Sequence, residues 1–244
     1  MAATSADAGV IIVAAGRGAR AFGGGEPKQY REIAGVRMLL RAIRPFASHP
    51  RIGPIVVVLP AEDAARPPAW LQAVLSDRLA VTAGGEERQQ SVANGLARLP
   101  AEVKLVLVHD AARPFVDAGI IDRVLQVASL GAAAVPAVPL ADTVKETDTA
   151  GLVVRTVPRE RLVAVQTPQA FPRQMLETAH QRGCADGKSP ATDDAALCER
   201  LGHPVRVVAG SQQNIKITTA EDFEVAEALA HRLFDPPIPR SPAS

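Results

Sequence analysis

Short runs of apolar residues alternate along the chain with segments in which apolar residues recur at helical spacing. The apolar runs are often β-branched, which is typical of strands buried on both faces of a sheet. They predict strands at residues 9–14, 55–59, 79–82, 105–108 and 132–138. The helical spacing predicts helices at residues 38–47, 70–79 and 86–99 and after Asp117, which is placed to cap the last of them. This alternation predicts an α/β fold with a doubly wound, mostly parallel sheet and with ligands at the carboxyl ends of its strands.

The pattern changes between residues 140 and 168, where no helical period is clear. Two β-prone runs flank a turn at residues 148–151, which predicts a hairpin. Because an isolated hairpin is only marginally stable in water, we expect this β-arm to lie against its own domain or a second subunit. The remaining pattern predicts helices at 172–182, 192–201 and 219–234 and a strand at 205–209. Residues 1–234 are therefore expected to form one domain, followed by a disordered tail rich in Pro and Ser at 235–244.

Composition narrows the class of protein. Of the 244 residues, 47% are hydrophobic and 3% aromatic, so a core is easily filled but stacking platforms for single-stranded nucleic acid are lacking. The formal net charge of +1 argues against general nucleic-acid or membrane-surface binding. We see no signal-peptide pattern and no apolar stretch long enough to span a membrane. Cys184 and Cys198 form neither a disulfide scaffold nor a zinc motif. We expect a cytoplasmic protein with no nucleic-acid or membrane partner.

The first predicted strand runs into a loop rich in glycine and positive charge. It contains Ala14-Ala15-Gly16, Gly18, Arg20 and, after Gly23-Gly24-Gly25, Lys28. Glycine allows backbone N–H groups to crowd around an anion, and Arg and Lys pair with phosphate oxygens. The loop therefore predicts a phosphate-handling site at the carboxyl edge of the sheet.

Three interpretations of this loop compete. A solvated turn would leave its arginines facing water. A dinucleotide fingerprint fits Gly16-x-Gly18-x-x-Ala21, but it needs a helix inside the glycines, which Pro27 and the glycine run forbid. It also needs an acid about 20 residues later, which residues 33–41 lack. A Walker loop is excluded because no Gly-Lys-Ser/Thr follows. We favour the third interpretation, a long basic loop that holds a nucleoside triphosphate.

Two further polar motifs follow predicted strands. Gly84-Gly85 precede a predicted helix, and Arg88 and Ser91 lie on one side of its first turn. A capped glycine loop is the structural alternative. Asp110 follows the strand at 105–108, and a carboxylate there, opposite a phosphate loop, suits Mg²⁺. An ion pair at the strand end is the alternative.

Together these motifs resemble those of a known enzyme family. Ala14-Ala15-Gly16-x-Gly18-x-Arg20 followed by Pro27-Lys28-Gln29 is similar to the signature loop of the 2-C-methyl-D-erythritol 4-phosphate cytidylyltransferases of isoprenoid biosynthesis, in the non-mevalonate pathway. Three more family strings follow in order: G-G-x-x-R-x-x-S at 84–91, H-D-A-A-R-P at 109–114 and N-I-K-I-T at 214–218. The resemblance extends from about residue 9 to residue 234.

The resemblance implies a Rossmann-like nucleotidyltransferase fold, a homodimer formed through a projecting β-arm at about residues 140–168, and transfer of CMP from CTP to the polyol phosphate. The implied catalytic residues are Arg20, Lys28, Arg159 and Lys216. The implied nucleotide-binding residues are Ala14, Ala15, Gly16, Gly18, Gly84, Gly85, Arg88, Ser91, Ala111 and Arg113. The implied substrate-binding residues are Thr143, Arg159, Thr167, Thr192 and Lys216, of which Thr143 and Arg159 would reach into the partner subunit. Asp110 would hold Mg²⁺ or another divalent cation.

The chain departs from the family pattern at two places. Position 13 is Val where Pro is common, and the span from Arg20 to Lys28 is one residue longer than usual. Either the glycine run bulges, which we favour, or Arg17 replaces Arg20. The alternative functions are a cytidylyltransferase of another polyol phosphate, such as ribitol 5-phosphate, and an inactive nucleotide-binding regulator. The persistence of all the basic motif residues argues against the regulator.

Overall fold

The computed structural model describes residues 6–16, 26–183 and 191–234. Twelve strands lie in these ranges: β1 Ala8–Val13, β2 Glu32–Ile33, β3 Val36–Arg37, β4 Ile52–Leu59, β5 Leu79–Ala83, β6 Leu105–Asp110, β7 Ala133–Pro139, β8 Val144–Thr147, β9 Val153–Val157, β10 Val163–Val165, β11 Gln169–Pro172 and β12 Val205–Ala209. Eight α-helices lie there as well: α1 Met38–Ala47, α2 Ala61–Ala65, α3 Ala69–Gln72, α4 Arg88–Arg98, α5 Ala118–Ser129, α6 Arg173–Gly183, α7 Asp194–Arg200 and α8 Ala220–Phe234. A short 3-10 helix occupies Lys28–Tyr30. Within the same ranges, no helix combines the length and the apolar character that a membrane span requires.

The predicted α/β fold is confirmed, with a mixed section in the sheet. Strands β5, β4, β1 and β6 pair in parallel, in that order, on one side of an eight-stranded sheet. On the other side, β11 runs antiparallel to both β6 and β7, β10 runs antiparallel to β7, and β12 is parallel to β7. The sequence pattern does not predict β10 and β11, because both are short and the polar residues between them break the period of two.

Two apolar layers cover the sheet, as the doubly wound prediction requires. Along β1 the side chains alternate, so that Val10 and Ile12 join the cluster that contains Phe46 of α1 and the buried face of α5. Ile11 points the other way and packs in the cluster that contains Val92 of α4. Strand β1 is therefore buried on both faces, which explains why its sequence is a continuous apolar run.

Most helices were located correctly, and one was not. Helix α1 has the predicted bounds, and Asp117 caps α5 by accepting a hydrogen bond from the Ile120 amide at 2.8 Å. The helix predicted at 70–79 is wrong, since only Ala69–Gln72 is helical there and Leu79 already belongs to β5. The apolar spacing in this stretch was misleading, because Val74 is 42% exposed and does not contribute to a helical core face.

The predicted β-arm is confirmed as a hairpin of β8 and β9, which form a two-stranded sheet apart from the central one. Asp148 shapes its turn by accepting hydrogen bonds from the amides of Ala150 and Leu152, each at 2.9 Å. Beyond the turn, Leu152, Val153 and Val154 are 68%, 60% and 60% exposed. The arm thus presents a row of apolar side chains to its surroundings. The tail predicted at 235–244 lies outside the described residues.

Candidate active site

The carboxyl ends of the parallel strands form one wall of a cavity of about 220 Å³. Val13, the last residue of β1, lies in register with Asp110, the last residue of β6. Most of the nucleotide motif residues meet there. Of the predicted residues, the cavity is lined by Ala14, Ala15, Gly16, Lys28, Gly85, Arg88, Ser91, Asp110, Ala111 and Lys216. Motifs that are far apart in the sequence therefore converge on one cleft.

Two cations hold the carboxylate of Asp110. Lys216 Nζ donates to Asp110 Oδ2 at 2.7 Å, and Arg88 donates from Nε and Nη2 to Oδ1, each at 3.3 Å. Burial disfavours the ionised form of Asp110, but the positive charges of Arg88 and Lys216 outweigh burial and hold the pKa of Asp110 well below its ordinary value. Asp110 is therefore an anion at neutral pH, although its side chain is only 13% exposed.

Arg88 also binds a second carboxylate. Its Nη1 donates to Asp194 Oδ2 at 2.7 Å, and Asp194 Oδ1 lies 3.0 Å from His180 Nε2. The N-cap of α7 is the neighbouring Asp193, and Asp194 is the first residue of the helix. Asp194 itself is 1% exposed and faces Arg88. Sequence analysis missed this contact, because acids in a first helical turn are common for unrelated electrostatic reasons.

Lys28 enters the same cavity from the 3-10 helix after the first loop. Its Nζ donates to the Ile217 carbonyl at 2.8 Å, which joins the first loop to the segment that carries Lys216. Burial, followed by the positive charge of Lys216, lowers the pKa of Lys28. The neighbouring Gln29, which was not among the predicted site residues, donates from Nε2 to the Ala14 carbonyl at 2.8 Å and holds the start of the loop.

The glycine pair after β5 is packed against the first loop. A Cβ on Gly84 would lie 2.4 Å from the Cβ of Ala15, so no larger residue fits at this position without displacing the loop. Ser91 Oγ accepts a hydrogen bond from the Gly85 amide at 3.1 Å and donates to the Glu87 carbonyl at 3.1 Å. Ser91 therefore organises the loop as well as lining the cavity.

A second cavity, of about 180 Å³, adjoins the first. It is lined by Arg88, Asp110, Arg113, Val165, Gln166, Thr167, Gln169, Thr192, Asp193 and Lys216. Three of these side chains, Arg88, Asp110 and Lys216, line both cavities, and we call them the junction. Except for Val165, the lining residues are polar or charged. A ligand in one cavity would therefore lie next to a ligand in the other.

Behind the second cavity, His109 and Thr167 form a buried chain of hydrogen bonds. His109 Nε2 lies 3.0 Å from the Arg113 carbonyl, which can only accept, so Nε2 carries the proton. His109 Nδ1 therefore accepts from Thr167 Oγ1 at 3.1 Å, and Thr167 Oγ1 accepts from the Asp110 amide at 3.0 Å. Burial lowers the pKa of His109 to about 4, so the ring is neutral at neutral pH. These contacts fix the backbone of Asp110.

A protein-family model described as 2-C-methyl-D-erythritol 4-phosphate cytidylyltransferase matches residues 8–232. The chain belongs to this cytidylyltransferase family.

Individual relatives agree with the family match. A 2-C-methyl-D-erythritol 4-phosphate cytidylyltransferase of Pelotomaculum thermopropionicum is 44% identical over 226 residues, which cover 90% of this chain and 92% of that protein. A bifunctional enzyme IspD/IspF of Nitrobacter hamburgensis is 45% identical over 235 residues, 95% of this chain and 57% of that protein. The chain thus spans about half the length of the bifunctional relatives it matches. The crystal structure of 2-C-methyl-D-erythritol 4-phosphate cytidylyltransferase from Thermus thermophilus superposes with a TM-score of 0.76 at 37% identity, covering 91% of this chain and 98% of that one.

The remaining residues implied by the cytidylyltransferase resemblance are distributed unevenly. Arg113 lines the second cavity rather than the first, and its Nη1 donates to the Asn214 carbonyl at 2.7 Å. Thr143 and Arg159 are exposed on the arm and line neither cavity. Gly18 and Arg20, and with them the predicted glycine bulge, lie outside the described residues.

Residues 214–218, the last string of the cytidylyltransferase pattern, form an irregular segment. They lie outside the strands of the described chain, and α8 begins after them at Ala220. Gln166 instead holds this segment, with Nε2 donating to the Ser211 carbonyl at 2.8 Å. Asn214 Nδ2 adds a hydrogen bond to the Thr167 carbonyl at 2.9 Å. Side-chain contacts thus place Lys216 without a sheet ladder, and a local sequence pattern does not predict such contacts.

Proposed function

We propose that this protein transfers CMP from CTP to the phosphate of 2-C-methyl-D-erythritol 4-phosphate and releases pyrophosphate. The observation that carries the proposal is the junction, where Lys216, Asp110 and Arg88 separate two cavities that open next to each other. Two anionic substrates placed in these cavities would meet at a cluster containing two positive charges. Membership of the cytidylyltransferase family supplies the identity of the substrates.

We place the nucleotide in the first cavity. Its lining includes Ala15, Gly16 and Arg88, the first residue of α4, and the start of this helix favours an anion. Lys28 is half-buried between the first loop and Lys216 and is suited to pair with the phosphates. Arg20, outside the described residues, would act on the same triphosphate.

We place the polyol phosphate in the second cavity. Arg113 Nε is a buried donor with no hydrogen-bond partner within the described part of the chain, and its side chain lines this cavity. An anion would satisfy such a donor. The hydroxyl of Thr192 also lines the cavity and suits a polyol. The Thr167 hydroxyl, in contrast, is already engaged with His109 and Asp110, so it would act mainly by fixing the cavity wall.

The proposed reaction needs no covalent enzyme intermediate. One oxygen of the substrate phosphate attacks the α-phosphorus of CTP in line, the new P–O bond forms as the bond to the β-phosphate breaks, and pyrophosphate leaves. A phosphate monoester is already ionised, so no general base is required. The task of the protein is to bring two anions together and to stabilise charge at the five-coordinate phosphorus. Lys28 would act on the leaving phosphates, and Lys216 would exchange Asp110 for the attacking phosphate.

Asp110 is suited to hold a divalent cation together with the phosphates. Within the described ranges, His, Cys, Asp and Glu side chains do not form a group of three or more that could hold a metal ion alone. Mg²⁺ does not require such a group, since it commonly binds one or two carboxylates together with substrate phosphates and water. When bound, Mg²⁺ would neutralise phosphate charge. The protein would supply Asp110, once Lys216 turns toward the substrate.

The β-arm would complete the second cavity of a partner subunit. Its exposed row at Leu152, Val153 and Val154 is suited to bury against another protein surface. Thr143 and Arg159, at the base of the arm, line neither of the two cavities of their own subunit. In a dimer they would contact the substrate bound to the partner subunit. Residues 1–234, including the arm at 140–168, would then act as one nucleotidyltransferase domain.

The direct test of the function is a pyrophosphate-release assay. The full chain is incubated with CTP, Mg²⁺ and 2-C-methyl-D-erythritol 4-phosphate, and separately with ribitol 5-phosphate. Release that depends on CTP and on the methylerythritol substrate supports the proposal. Release with ribitol 5-phosphate alone, or with neither polyol, contradicts it.

A further inference from the structure

Arg88 is held more tightly by Asp194 than by Asp110. The hydrogen bond from Nη1 to Asp194 Oδ2 is 2.7 Å long, whereas Nε and Nη2 share one oxygen of Asp110 at 3.3 Å each. Charge-assisted hydrogen bonds at the shorter distance are the stronger ones. The guanidinium is therefore anchored on Asp194, and the contact with Asp110 is loose enough to be exchanged.

Asp194 is itself held in place on a rigid support. Its other oxygen lies 3.0 Å from His180 Nε2, and both side chains are almost completely buried. The start of α7 is tied to β11, because Gln169 donates to Asp193 Oδ2 at 2.7 Å and accepts from the Ala195 amide at 3.1 Å. The carboxylate of Asp194 therefore has little freedom to follow Arg88 if that side chain moves.

Neither Asp194 nor His180 lines either of the two cavities, so neither is placed to touch a substrate. We propose that Asp194 is a positioning residue, which fixes the guanidinium of Arg88 at the junction and acts on the reaction only through Arg88. His180 orients the Asp194 carboxylate. This inference rests on the proposed function, because it assumes that a nucleotide binds beside Arg88.

The isosteric substitution Asp194→Asn tests the inference. It keeps an oxygen that can accept from His180 but removes the charge that anchors Arg88. We expect kcat/KM for CTP to fall about 10- to 100-fold, the range found when a hydrogen-bond partner that orients a metal ligand is lost. Most of the change is expected in KM for CTP, whereas KM for the polyol phosphate changes less, since Arg113 and Lys216 are untouched.

A double-mutant cycle with Arg88→Met separates positioning from a general effect on folding. If Asp194 acts through Arg88, Asp194→Asn has little further effect in the Arg88→Met background. Leu197→Val is the matched control, because Leu197 is a buried core residue on the same helix, α7, and lines neither cavity. We expect this control to lose stability in urea but to keep the wild-type KM for CTP.

The inference is overturned if Asp194→Asn leaves kcat/KM for CTP unchanged, or if it costs the same factor with and without Arg88. The CTP affinity of the wild type, the two single variants of the cycle and the double variant can also be measured by calorimetry, which does not need turnover. A wild-type protein that binds CTP but does not react refutes the proposed reaction while the cycle still measures the Asp194–Arg88 coupling. A wild-type protein that neither reacts nor binds CTP overturns both.

Discussion

Lys216 Nζ donates to Asp110 Oδ2 at 2.7 Å, although 106 residues separate the two in the chain. The lysine is on an irregular segment before α8, and the aspartate ends β6 in the middle of the sheet. In the proposed reaction this pair must open, so that the lysine reaches a phosphate and the carboxylate becomes free for a cation. Asp110 and Lys216 thus satisfy each other's charge until the substrates arrive.

Asp110→Asn should reduce turnover and raise the Mg²⁺ concentration that the reaction requires. We expect kcat to fall at least about a hundredfold, because the junction loses its carboxylate, and the Mg²⁺ concentration needed for half-maximal rate to rise. Titrating Mg²⁺ in the pyrophosphate assay measures both. In the wild type, a chelator should stop turnover and added Mg²⁺ should restore it. A wild-type rate that is insensitive to the chelator would contradict the role given to Asp110.

Lys28→Ala should inactivate the protein without unfolding it. Lys28 carries a desolvation penalty in the fold, as its lowered pKa indicates, so its removal is not expected to reduce stability much. We expect kcat to fall about 10²- to 10³-fold, the range for removal of one donor that stabilises transition-state charge. Urea unfolding measures the stability, and initial rates measure kcat.

Lys104→Ala, which removes an exposed lysine away from both cavities, is the control and should keep full activity. An active Lys28→Ala enzyme would rule out the mechanism.

His109 should make the stability depend on pH in the mildly acidic range. The ordinary pKa of a histidine side chain is 6.5 and the pKa of His109 in the fold is about 4, so the unfolded chain binds a proton at a higher pH than the folded one. The contribution of His109 to the free energy of unfolding is therefore fully present above pH 6.5 and decreases as the pH falls toward 4, by about 3 kcal/mol in total.

His109→Gln should flatten this dependence of stability on pH, whatever its effect at neutral pH. Urea titrations at several pH values compare the two proteins, and equal slopes would refute the prediction. Asp110 does not interfere, since its lowered pKa affects stability only at more acidic pH.

Two inactive variants should restore each other if the arm serves a partner subunit. Arg159→Ala removes an arm residue and Lys28→Ala disables the nucleotide cavity. A mixed dimer contains one site with both defects and one intact site. After random subunit exchange, roughly a quarter of the wild-type activity should return, because half of the dimers are mixed. Restored activity that is absent from each variant alone is the expected result. If mixing restores nothing although native mass spectrometry detects mixed dimers, Arg159 acts within its own subunit.

The sequence predicted the parts of this fold that depend on local periodicity. Helix α1 and strand β12 have the predicted bounds, because the apolar residues of α1 form its buried face and β12 is a β-branched run that pairs with β7. The prediction of a helix at 70–79 failed because apolar residues at helical spacing need not be buried, as the exposure of Val74 shows. Long-range contacts have no local signature.

The candidate site shows the same difference between local motifs, which the sequence reveals, and long-range contacts, which it does not. The motif residues identified from the sequence do share one cavity, among them Ala14, Lys28, Arg88, Asp110 and Lys216. What the sequence did not reveal is how they are held. The roles of Asp194 and Gln166 depend on which buried partner each side chain meets, and that is decided only when β11, α7 and the segment before α8 pack together.

The path of the chain through the arm has a mechanical consequence. The arm leaves the sheet at the end of β7 and returns as β10 and β11, which bond to β7 and then to β6. Its base is thus tied to β7, and β11, the strand that follows the arm, pairs with the strand that ends at Asp110. A subunit that binds the arm would therefore be connected to Asp110 through the hydrogen-bonded strands β10, β7, β11 and β6.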